Sequence, residues 1–262
     1  MIFQNLLTGF LVLLQIIIAA YSVYGLVMAT YAFRRTSPVK PAAEQNRFAI
    51  LIAARNEASV IGHLIDSLNQ QNYPRHLFDI YVAPNNCHDD TADVAVNAGA
   101  ILMNSSVPIT KKGDVLNDAF SQLSQSALSY DAICVFDADN LVHPDFLVEM
   151  NRALAGGALI GQCYRDSKNP EDTATAGSSA IYFWMLARFY NQARSAHGLS
   201  AGISGSGFMI RTSLIRKTNG FKTVTITEDL EMSMLSYLAD APVTWVPRAI
   251  VCLLYTSPSP RD

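Results

Sequence analysis

The first stretch of the chain is apolar at almost every position. No charged side chain occurs between Met1 and Phe33, and this stretch exceeds the roughly 20 residues that an α-helix needs to cross a bilayer. A cleaved signal peptide would need a positively charged start and an apolar core of only about 7 to 15 residues, and this stretch has neither. The pattern therefore predicts a single transmembrane anchor within residues 1–35.

Positive charge follows the predicted anchor. Arg34, Arg35 and Lys40 come directly after it, and positive residues beside a first span are retained on the cytoplasmic side of the membrane. We therefore expect a cell-membrane protein whose remaining chain faces the cytosol. Residues 36–47 are polar and contain two prolines, which predicts a linker between the anchor and a separate domain.

Beyond the linker, short apolar runs alternate with longer stretches whose apolar residues recur at helical spacing. Such alternation is typical of a mostly parallel sheet with helices on both faces. The predicted fold is therefore a Rossmann-like α/β domain over residues 48–251. The apolar runs predict strands at 48–53, 78–83, 99–103 and 132–136, and the longer stretches predict helices at 58–71, 90–99, 113–128 and 144–154.

The aromatic-rich stretch at 178–196 allows two interpretations. Its apolar residues recur at helical spacing, which favours a helix that packs its apolar face on the sheet. Arg188 and Arg194 border the apolar stripe, so a helix that lies on the membrane surface is the alternative.

Composition and cysteine spacing exclude several classes of protein. The chain is 50% hydrophobic and 16% charged with a net charge of -3, which argues against a basic nucleic-acid binder. Its four cysteines are widely and irregularly spaced and form no CxxC pair. We therefore expect reduced cytosolic thiols instead of a disulfide framework or a zinc site. These cysteines are Cys87, Cys134, Cys163 and Cys252.

Polar clusters follow three of the predicted strands. They lie at 54–57, 84–91 and 137–140, and ligands of open parallel sheets bind outside the carboxyl ends of the strands. Any one cluster alone has an ordinary explanation, such as a helix cap at Asn56 or Asp89. Three clusters at one edge of the sheet instead predict a binding site.

Asp137 and Asp139 are the candidate metal ligands. In extended backbone, residues two positions apart project to the same side. Carboxylate oxygens so arranged suit Mg²⁺ or Mn²⁺, which commonly take their remaining ligands from water and substrate phosphates. Lys111 and Lys112 add positive charge on a loop that enters a helix, and a helix N-terminus itself favours anions. These residues together predict a diphosphate substrate.

Seven short motifs then carry a resemblance to a known family. Their order over residues 48–248 resembles that of the family 2 glycosyltransferases, which are inverting enzymes with the GT-A fold. The resemblance implies a nucleotide-diphosphate-sugar donor, usually a UDP-sugar, with a divalent metal that bridges the diphosphate. It also implies a carbohydrate or lipid acceptor, and a role in cell-envelope, exopolysaccharide or glycolipid synthesis. The motifs are "IAARNE", "NNCHDDT", "KKGDVLN", "FDADN", "GSGFMIR", "TEDLEMS" and "TWVP".

Positions within these motifs imply a donor site. The resemblance implies that Ala54, Arg55 and Glu57 line the nucleoside pocket and that Lys112 lies near the donor. Asn85 stands where the family usually has an aspartate that reads uracil. An asparagine can still accept a hydrogen bond through its carbonyl oxygen, although it lacks the charge.

The same motifs imply the metal, catalytic and acceptor residues. Asp137 would lie near the ribose and the metal, and Asp139 would bind the metal directly. Asp229 would be the general base that deprotonates the acceptor hydroxyl, with Glu228 beside it, although an acidic pair at a helix start is commonly a complement to the helix dipole. The residues implied to shape the acceptor site are Gly205, Ser206, Gly207 and Trp245.

Other functions remain open at the level of the residues. A phosphatase of the haloacid dehalogenase class also places an Asp pair after a strand and would use Asp137 as its nucleophile. A sugar nucleotidyltransferase would need a Gly-rich loop after the first strand, where "AARNEAS" has no glycine. A third alternative is a catalytically incompetent, membrane-tethered protein that binds sugar nucleotides.

The end of the chain departs from the family pattern. Membrane-bound processive members continue into a QxxRW motif and further transmembrane helices, whereas this chain ends in "RAIVCLLYTSPSPRD". The last ten residues resemble a translated sequencing adapter. We therefore expect residues 252–262 to be a non-native tail and the natural protein to continue beyond Val251, the alternative being a genuine disordered tail.

Overall fold

The computed structural model describes residues 2–34, 44–220, 222–225 and 227–253. Most of the predicted linker at 36–47 and of the predicted tail at 252–262 lies outside the described residues. The described helices, numbered in chain order, are α1 Ile2–Tyr31, α2 Ile61–Asn69, α3 Thr91–Asn97, α4 Lys112–Ser124, α5 Phe146–Ala155, α6 Ala174–Met185, α7 Ala193–Ala196, α8 Thr212–Thr218 and α9 Glu228–Leu238. The described strands are β1 Phe48–Ala54, β2 Phe78–Pro84, β3 Ile101–Leu102, β4 Ala132–Asp137, β5 Asn140–Val142, β6 Ile160–Ser167, β7 Phe208–Arg211 and β8 Val243–Leu253.

The first half of the sheet has the parallel arrangement that the sequence predicts. Its strands lie in the order β3-β2-β1-β4, and every pair among them is parallel. All seven residues of β1 are buried, because helices cover both faces of the sheet. Phe48 is aligned with Phe78 of β2 and with Ala132 of β4, so the carboxyl ends of these three strands lie at one edge.

The second half of the sheet is mixed, which the expectation of a mostly parallel sheet did not include. β7 is antiparallel to β4 and β6, β8 is parallel to β6, and β5 is antiparallel to β8. β5 and β7 span only three and four residues, too few for a readable alternation of polar and apolar positions. β8 extends to Leu253, so Cys252 and Leu253 belong to the sheet and not to the predicted tail.

Two apolar layers enclose the sheet. Successive residues of β1 point to opposite faces, so Ile50 and Ile52 join one core with Phe146, whereas Leu51 joins the other core with Phe120. Each of these side chains is at most 1% exposed. The layers fix the positions of the strand ends from which the candidate site is built.

Helix α1 is long and apolar enough to cross a membrane over Phe3–Tyr31. Its most apolar window is not buried by the rest of the chain, whereas Met28 and Ala32 at its C-terminal end pack against Ala193 of α7. Arg194 Nη1 donates a hydrogen bond of 3.1 Å to the Tyr24 hydroxyl. The helix is therefore attached to the α/β domain at its last turns.

The aromatic-rich stretch is helical throughout, but it does not pack its large apolar side chains on the sheet. α6 continues through a π-helical segment, Leu186–Gln192, into α7. Its buried side is made of small residues, among them Ala180 and Ala187, while Ile181, Tyr182 and Met185 are each more than half exposed. The expected packing of the apolar stripe on the sheet is therefore wrong, because the alanines make the contact.

Gly207 provides a stability prediction, because its φ is +66° and an added Cβ would overlap Cys163 Sγ. Gly207→Ala should lower the free energy of unfolding by about 2–5 kcal/mol, from backbone strain and overpacking together. Gly99 is the matched control, because its φ is +92° but nothing lies within 4 Å of its Cβ position. Gly99→Ala should cost only about 1–2 kcal/mol. Urea unfolding of the detergent-solubilised chain measures both, and equal losses would contradict the packing argument.

Candidate functional site

An open cleft of about 430 Å³ lies at the carboxyl ends of β1 and β2. Ala54 and Arg55 after β1, and Asn85 after β2, line this cleft together with Lys112 at the start of α4. The structure therefore brings most of the predicted donor residues to one place. The other residues that line it are Ala53, Asn56, Thr110, Lys111 and Val115.

Hydrogen bonds tie together the two loops that form this side of the cleft. Asn56 has a left-handed φ of 55°, and its Oδ1 accepts a hydrogen bond of 2.8 Å from the backbone N–H of His88. The backbone N–H of Glu57 donates to Thr91 Oγ1 at 2.8 Å. A hydrogen bond from Thr91 also lowers the pKa of Asp89. Asn56 and Asp89 thus hold the two loops in place. Neither is the helix cap that the sequence allowed, because Val60 is the N-cap of α2 and Asp90 is the N-cap of α3.

Asn85 lines the cleft and carries a buried acceptor. Its backbone N–H donates to the Ala54 carbonyl at 2.8 Å, which fixes the loop against the end of β1. Its side-chain Oδ1 is buried and has no hydrogen-bond partner among the described residues. A buried oxygen without a partner is costly, so this position favours a ligand that brings an N–H donor.

The start of α4 is fixed by its own capping residue. Asp114 accepts a hydrogen bond of 2.6 Å from the Thr110 hydroxyl, and bonds of 3.0 and 3.1 Å from the backbone N–H groups of Thr110 and Lys111. The bond from the Thr110 hydroxyl, followed by the backbone bonds, lowers the pKa of Asp114. Lys111 Nζ donates to the carbonyl of Thr223 at 3.0 Å. A Cβ at Gly113 would lie 2.5 Å from Thr223 Oγ1. Only glycine therefore lets the 222–225 segment approach this helix so closely.

Lys112 joins four separate parts of the chain. Its Nζ lies 2.5 Å from Asp137 Oδ1 at the end of β4 and 3.5 Å from Glu228 Oε1 at the start of α9. It also donates a hydrogen bond of 3.0 Å to the carbonyl of Gly205. The three side chains are only 16–22% exposed, so their charges interact more strongly than they would in open solvent.

Asp229 lies beside this cluster. The Cβ position of Gly205 is 3.4 Å from Asp229 Oδ2, and Gly205 has a φ of +77°. The carboxylate of Asp229 therefore lies over the same glycine whose carbonyl accepts from Lys112. Lys112, Asp137, Gly205, Glu228 and Asp229, which the sequence separates by up to 117 positions, meet at one end of the cleft.

The backbone at the acidic pair differs from the expected extended form. β4 ends at Asp137, and Ala138 and Asp139 form a turn before β5 begins at Asn140. Asn140 Nδ2 donates to Asp139 Oδ1 at 2.9 Å, and the amide of Asn140 also accepts a hydrogen bond from the Ser206 hydroxyl. The orientation of Asp139 is thus set by side-chain contacts and not by strand geometry.

The acidic pair fits a divalent metal only as a partial set of ligands. No group of three or more His, Cys, Asp or Glu side chains that could hold a metal occurs in the described part of the chain. Asp137 and Asp139 supply the hard carboxylate oxygens that Mg²⁺ and Mn²⁺ prefer. Such ions take the rest of their ligands from substrate phosphates and water, and the donor set is compatible with that arrangement.

Ser206 supports the backbone of the site and does not line the cleft. Its side chain is fully buried, and its Oγ accepts a hydrogen bond of 2.9 Å from the backbone N–H of Asp137. The Ser206 side chain therefore has no surface open to a substrate, and its predicted part in shaping the acceptor site would act through the backbone. Asn140 is 1% exposed and also supports the site. The sequence analysis missed this role, because it depends on a hydrogen bond with Ser206, which is distant in the sequence.

Trp245 lines a second cavity. It is 6% exposed, its indole N–H donates to Gln192 Oε1 at 3.2 Å, and the cavity of about 460 Å³ is also lined by Tyr164 and Gln192. Gly205 is not among the residues that line this cavity, so the acceptor site predicted for both residues stays a prediction.

The first half of the sheet is parallel and has a cleft at its carboxyl edge. One acidic pair lies at a strand end, and a second acidic pair lies opposite it. These features define a GT-A-like α/β domain. Residues 45–258 match the model of the family described as "Glycosyltransferase like family 2". The chain belongs to that family.

Curated relatives agree with this membership. The chain is 26% identical over 200 residues to a beta-monoglucosyldiacylglycerol synthase of Trichormus variabilis, a match that covers 72% of this chain and 41% of that protein. It is 28% identical to the probable glycosyltransferase YdaM of Bacillus subtilis, covering 79% and 50% of the two chains. It is 22% identical to a poly-beta-1,6-N-acetyl-D-glucosamine synthase of Staphylococcus epidermidis, covering 89% and 56%. The chain thus spans about half the length of these relatives.

Solved structures share the fold. A mannosyltransferase from Pyrobaculum calidifontis, solved with GDP-Man and Mn²⁺, superposes with a TM-score of 0.71 at 17% identity, covering 92% of this chain and 66% of that one. A glucosyl-3-phosphoglycerate synthase from Mycobacterium tuberculosis, solved with Mn²⁺ and UDP, has a TM-score of 0.56 at 17% identity, covering 86% and 80%. At this level of identity the likeness concerns the fold alone.

The Lys112 cluster predicts a coupled loss of stability. Lys112→Met removes the ammonium shared by Asp137 and Glu228, so the free energy of unfolding should fall by about 1–3 kcal/mol. Adding Glu228→Gln should recover part of this loss, because it removes one of the two uncompensated charges. Chemical unfolding of the single and double variants measures the coupling.

Lys111→Met is the matched control for this prediction. The Lys111 ammonium donates to the Thr223 carbonyl, and no salt bridge within 4.0 Å to a carboxylate of the described residues is found for it. Its loss should therefore not be relieved by Glu228→Gln. Equal rescue in both backgrounds, or a Lys112→Met variant as stable as the parent chain, would contradict the shared role of Lys112.

Proposed function

We propose that this chain is the catalytic part of a membrane-anchored glycosyltransferase that moves a sugar from a nucleotide-diphosphate-sugar to a hydroxyl acceptor with inversion. The observation that carries this proposal is the meeting of Lys112, Asp137, Glu228 and Asp229 at one end of the strand-edge cleft. Such a cluster combines groups for a diphosphate with a carboxylate for an incoming hydroxyl. Family membership favours this function over the phosphatase and nucleotidyltransferase alternatives.

The nucleoside of the donor would lie in the cleft at Asn85 and Arg55, which line it, with Glu57 in the same loop as Arg55. The unpaired Oδ1 of Asn85 can accept a hydrogen bond from the N3–H of uracil, whereas the N1 atom of adenine is itself an acceptor. This difference favours a uridine over an adenosine nucleotide, whereas guanine carries an N1–H donor of its own. Related folds have been solved with UDP-GlcNAc and with GDP-Man, so the choice of base in this chain depends on its own cleft.

The diphosphate would lie between the start of α4 and the acidic pair. The N-terminus of α4 favours anions through its exposed N–H groups and its dipole, and Lys112 adds a full positive charge. Asp137 and Asp139 would hold Mg²⁺ or Mn²⁺, as the Mn²⁺-containing neighbours suggest. When bound, the ion would offset negative charge on the diphosphate as it leaves.

Glu228 and Asp229, at the start of α9, would have different roles in the reaction. Glu228 faces the Lys112 ammonium at 3.5 Å, so its charge is used to hold that lysine. Asp229 lies over Gly205 and is the carboxylate left to take the proton from the acceptor hydroxyl. Attack from the face opposite the diphosphate would invert the anomeric carbon in one displacement.

The membrane arrangement and the pathway belong to the same proposal. α1 would anchor the chain in the cell membrane, and the positive residues after it would keep the α/β domain in the cytosol. The curated relatives include synthases of a glycolipid and of a polysaccharide. We therefore place this chain in cell-envelope polysaccharide or glycolipid synthesis, with a carbohydrate or lipid acceptor.

Asp229→Asn tests the proposed base. The variant should lose about a hundredfold to ten-thousandfold in transfer rate, because general-base catalysis contributes about 10²–10⁴ and the amide cannot take a proton. Its affinity for UDP in the presence of Mn²⁺ should stay within a factor of about two. Radiolabelled sugar transfer to membrane extracts measures the rate, and calorimetry measures the affinity.

Asp240→Asn is the control for the lost carboxylate. Asp240 follows α9 at its far end and has a φ of 55°, a conformation that asparagine also adopts readily. This variant should keep the parent rate. Loss of donor binding in Asp229→Asn would count against its assignment as the base. Donor binding without transfer in the parent chain would support a tethered sugar-nucleotide-binding protein instead.

A nucleotide panel tests the donor site. With Mn²⁺ present, UDP should raise the apparent melting temperature more than ADP, because a ligand that binds only the folded chain stabilises it. Asn85→Ala should reduce the preference for UDP over ADP about tenfold, since one hydrogen bond to the base is lost. A thermal-shift titration of each nucleotide gives the affinities.

Asp139→Asn is the reciprocal variant in the same panel. It should keep the preference for UDP over ADP and lose the strengthening that Mn²⁺ gives to UDP binding. An Asn85→Ala chain that distinguishes the bases as before would show that another group reads the base. Mn²⁺ without effect on the parent chain would remove the metal from the proposal.

A further inference from the structure

The second cavity lies between the aromatic-rich helix and the sheet. It has a volume of about 460 Å³, comparable to that of the donor cleft. Both tryptophans of the chain, Trp184 and Trp245, line it. Trp184 is 38% exposed at the surface of α6, whereas Trp245 on β8 is only 6% exposed. The other residues that line it are Tyr164, Ala187, Arg188, Gln192, Pro247 and Ile250.

Both indole N–H groups and the Gln192 amide of this cavity already have partners. The indole N–H of Trp184 donates to Asp166 Oδ1 at 2.8 Å, and that of Trp245 donates to Gln192 Oε1. Gln192 Nε2 in turn donates to the carbonyl of Arg34 at 3.0 Å. A sugar ring would need several hydrogen bonds to replace those it makes with water. The walls therefore suit an apolar ligand better than a carbohydrate.

The cavity adjoins the end of the apolar N-terminal helix. The Arg188 guanidinium lies over the ring of Phe33 at 5.3 Å, and Phe33 contacts Phe189 with ring centroids 6.2 Å apart. Exposed apolar residues of α6, such as Ile181 and Met185, continue this surface. If α1 spans a bilayer, these contacts hold the cavity at the membrane surface, where aromatic and arginine side chains are favoured.

A short segment connects the cavity wall to the catalytic cluster. The backbone N–H of Gly202 donates to Asn191 Oδ1 at 3.0 Å, beside Gln192 of the cavity. Gly205, three residues later, lies against Asp229. Three residues of extended chain span at most about 11 Å. A molecule with its tail in the cavity can therefore bring a headgroup hydroxyl to Asp229.

We propose that this cavity receives an acyl chain of a membrane diacyl lipid whose hydroxyl is the acceptor of the transferred sugar. This inference rests on the proposed function for the identity of the reaction. It selects a lipid over a carbohydrate as the acceptor. It also gives Trp245 a part in holding the lipid tail instead of stacking on a sugar.

Quenching of tryptophan fluorescence tests the proposal directly, because bromine atoms on an acyl chain quench only at short range. In a Trp184→Phe chain, all emission comes from buried Trp245. We expect diacylglycerol with dibrominated acyl chains, added to the full chain in detergent micelles, to reduce this emission at least twofold relative to the unbrominated lipid. Trp245→Phe, the reciprocal variant, reports the exposed position at Trp184.

A filled cavity provides the matched control. Ala187 lines the cavity and is 4% exposed. Ala187→Phe in the Trp184→Phe background should therefore exclude the acyl chain of the lipid from the cavity and restore the Trp245 emission. Unchanged UDP binding to that variant would show that it is folded. Restored emission with intact UDP binding supports the cavity as the lipid site.

Two outcomes would overturn the inference. Quenching of Trp184 without quenching of Trp245 would mean that lipid covers only the outer helix face. A change in Trp245 emission with a soluble oligosaccharide, and none with brominated lipid, would assign the cavity to a carbohydrate. Neither readout needs glycosyl transfer, so loss of the proposed activity and loss of the lipid site would be seen separately.

Discussion

The contact of Lys112 with Asp137 and Glu228 is the interaction on which the candidate site depends. The lysine begins α4, Asp137 ends β4 and Glu228 begins α9, so one ammonium fixes three elements that the sequence keeps far apart. Partial burial makes the pairing strong, and it also makes loss of any one partner costly. The cluster holds more carboxylates than ammonium groups, which favours a second cation together with an anionic ligand at the same place.

Glycines make this arrangement sterically feasible. Gly205 turns its carbonyl to Lys112 while leaving room for the Asp229 carboxylate, and Gly207 places the next strand against Cys163. Between them, Ser206 is buried and supports the backbone of Asp137. The "GSG" motif therefore acts through backbone shape and burial, and its effect on a substrate is indirect. Gly113 has the same steric role at the start of α4, where the absence of a side chain lets the 222–225 segment pack closely.

The sequence predicts the parts of the fold that repeat and misses those that depend on distant partners. Alternation of apolar runs and helical spacing located β1, β2 and β4, and the strand-end rule located the cleft around Arg55 and Asn85. The short strands β5 and β7 carry too few residues for a pattern. The shared lysine and the support of Asp139 by Asn140 could not be predicted, because hydrogen bonds across many positions leave no periodic signal.

The two cavities give the α/β domain two chemically different sides. The cleft at Arg55 and Asn85 is bounded by charged groups and by a helix N-terminus, which suit a nucleotide diphosphate, whereas the cavity at Trp245 is lined mainly by aromatic and apolar side chains. The segment from Gly202 to Gly205 joins them and passes beside Asp229. On the proposed function, a base at that junction would meet a water-soluble donor from one side and a membrane-bound acceptor from the other. If α1 spans a bilayer, its position beside the second cavity would decide which side of the α/β domain faces the membrane.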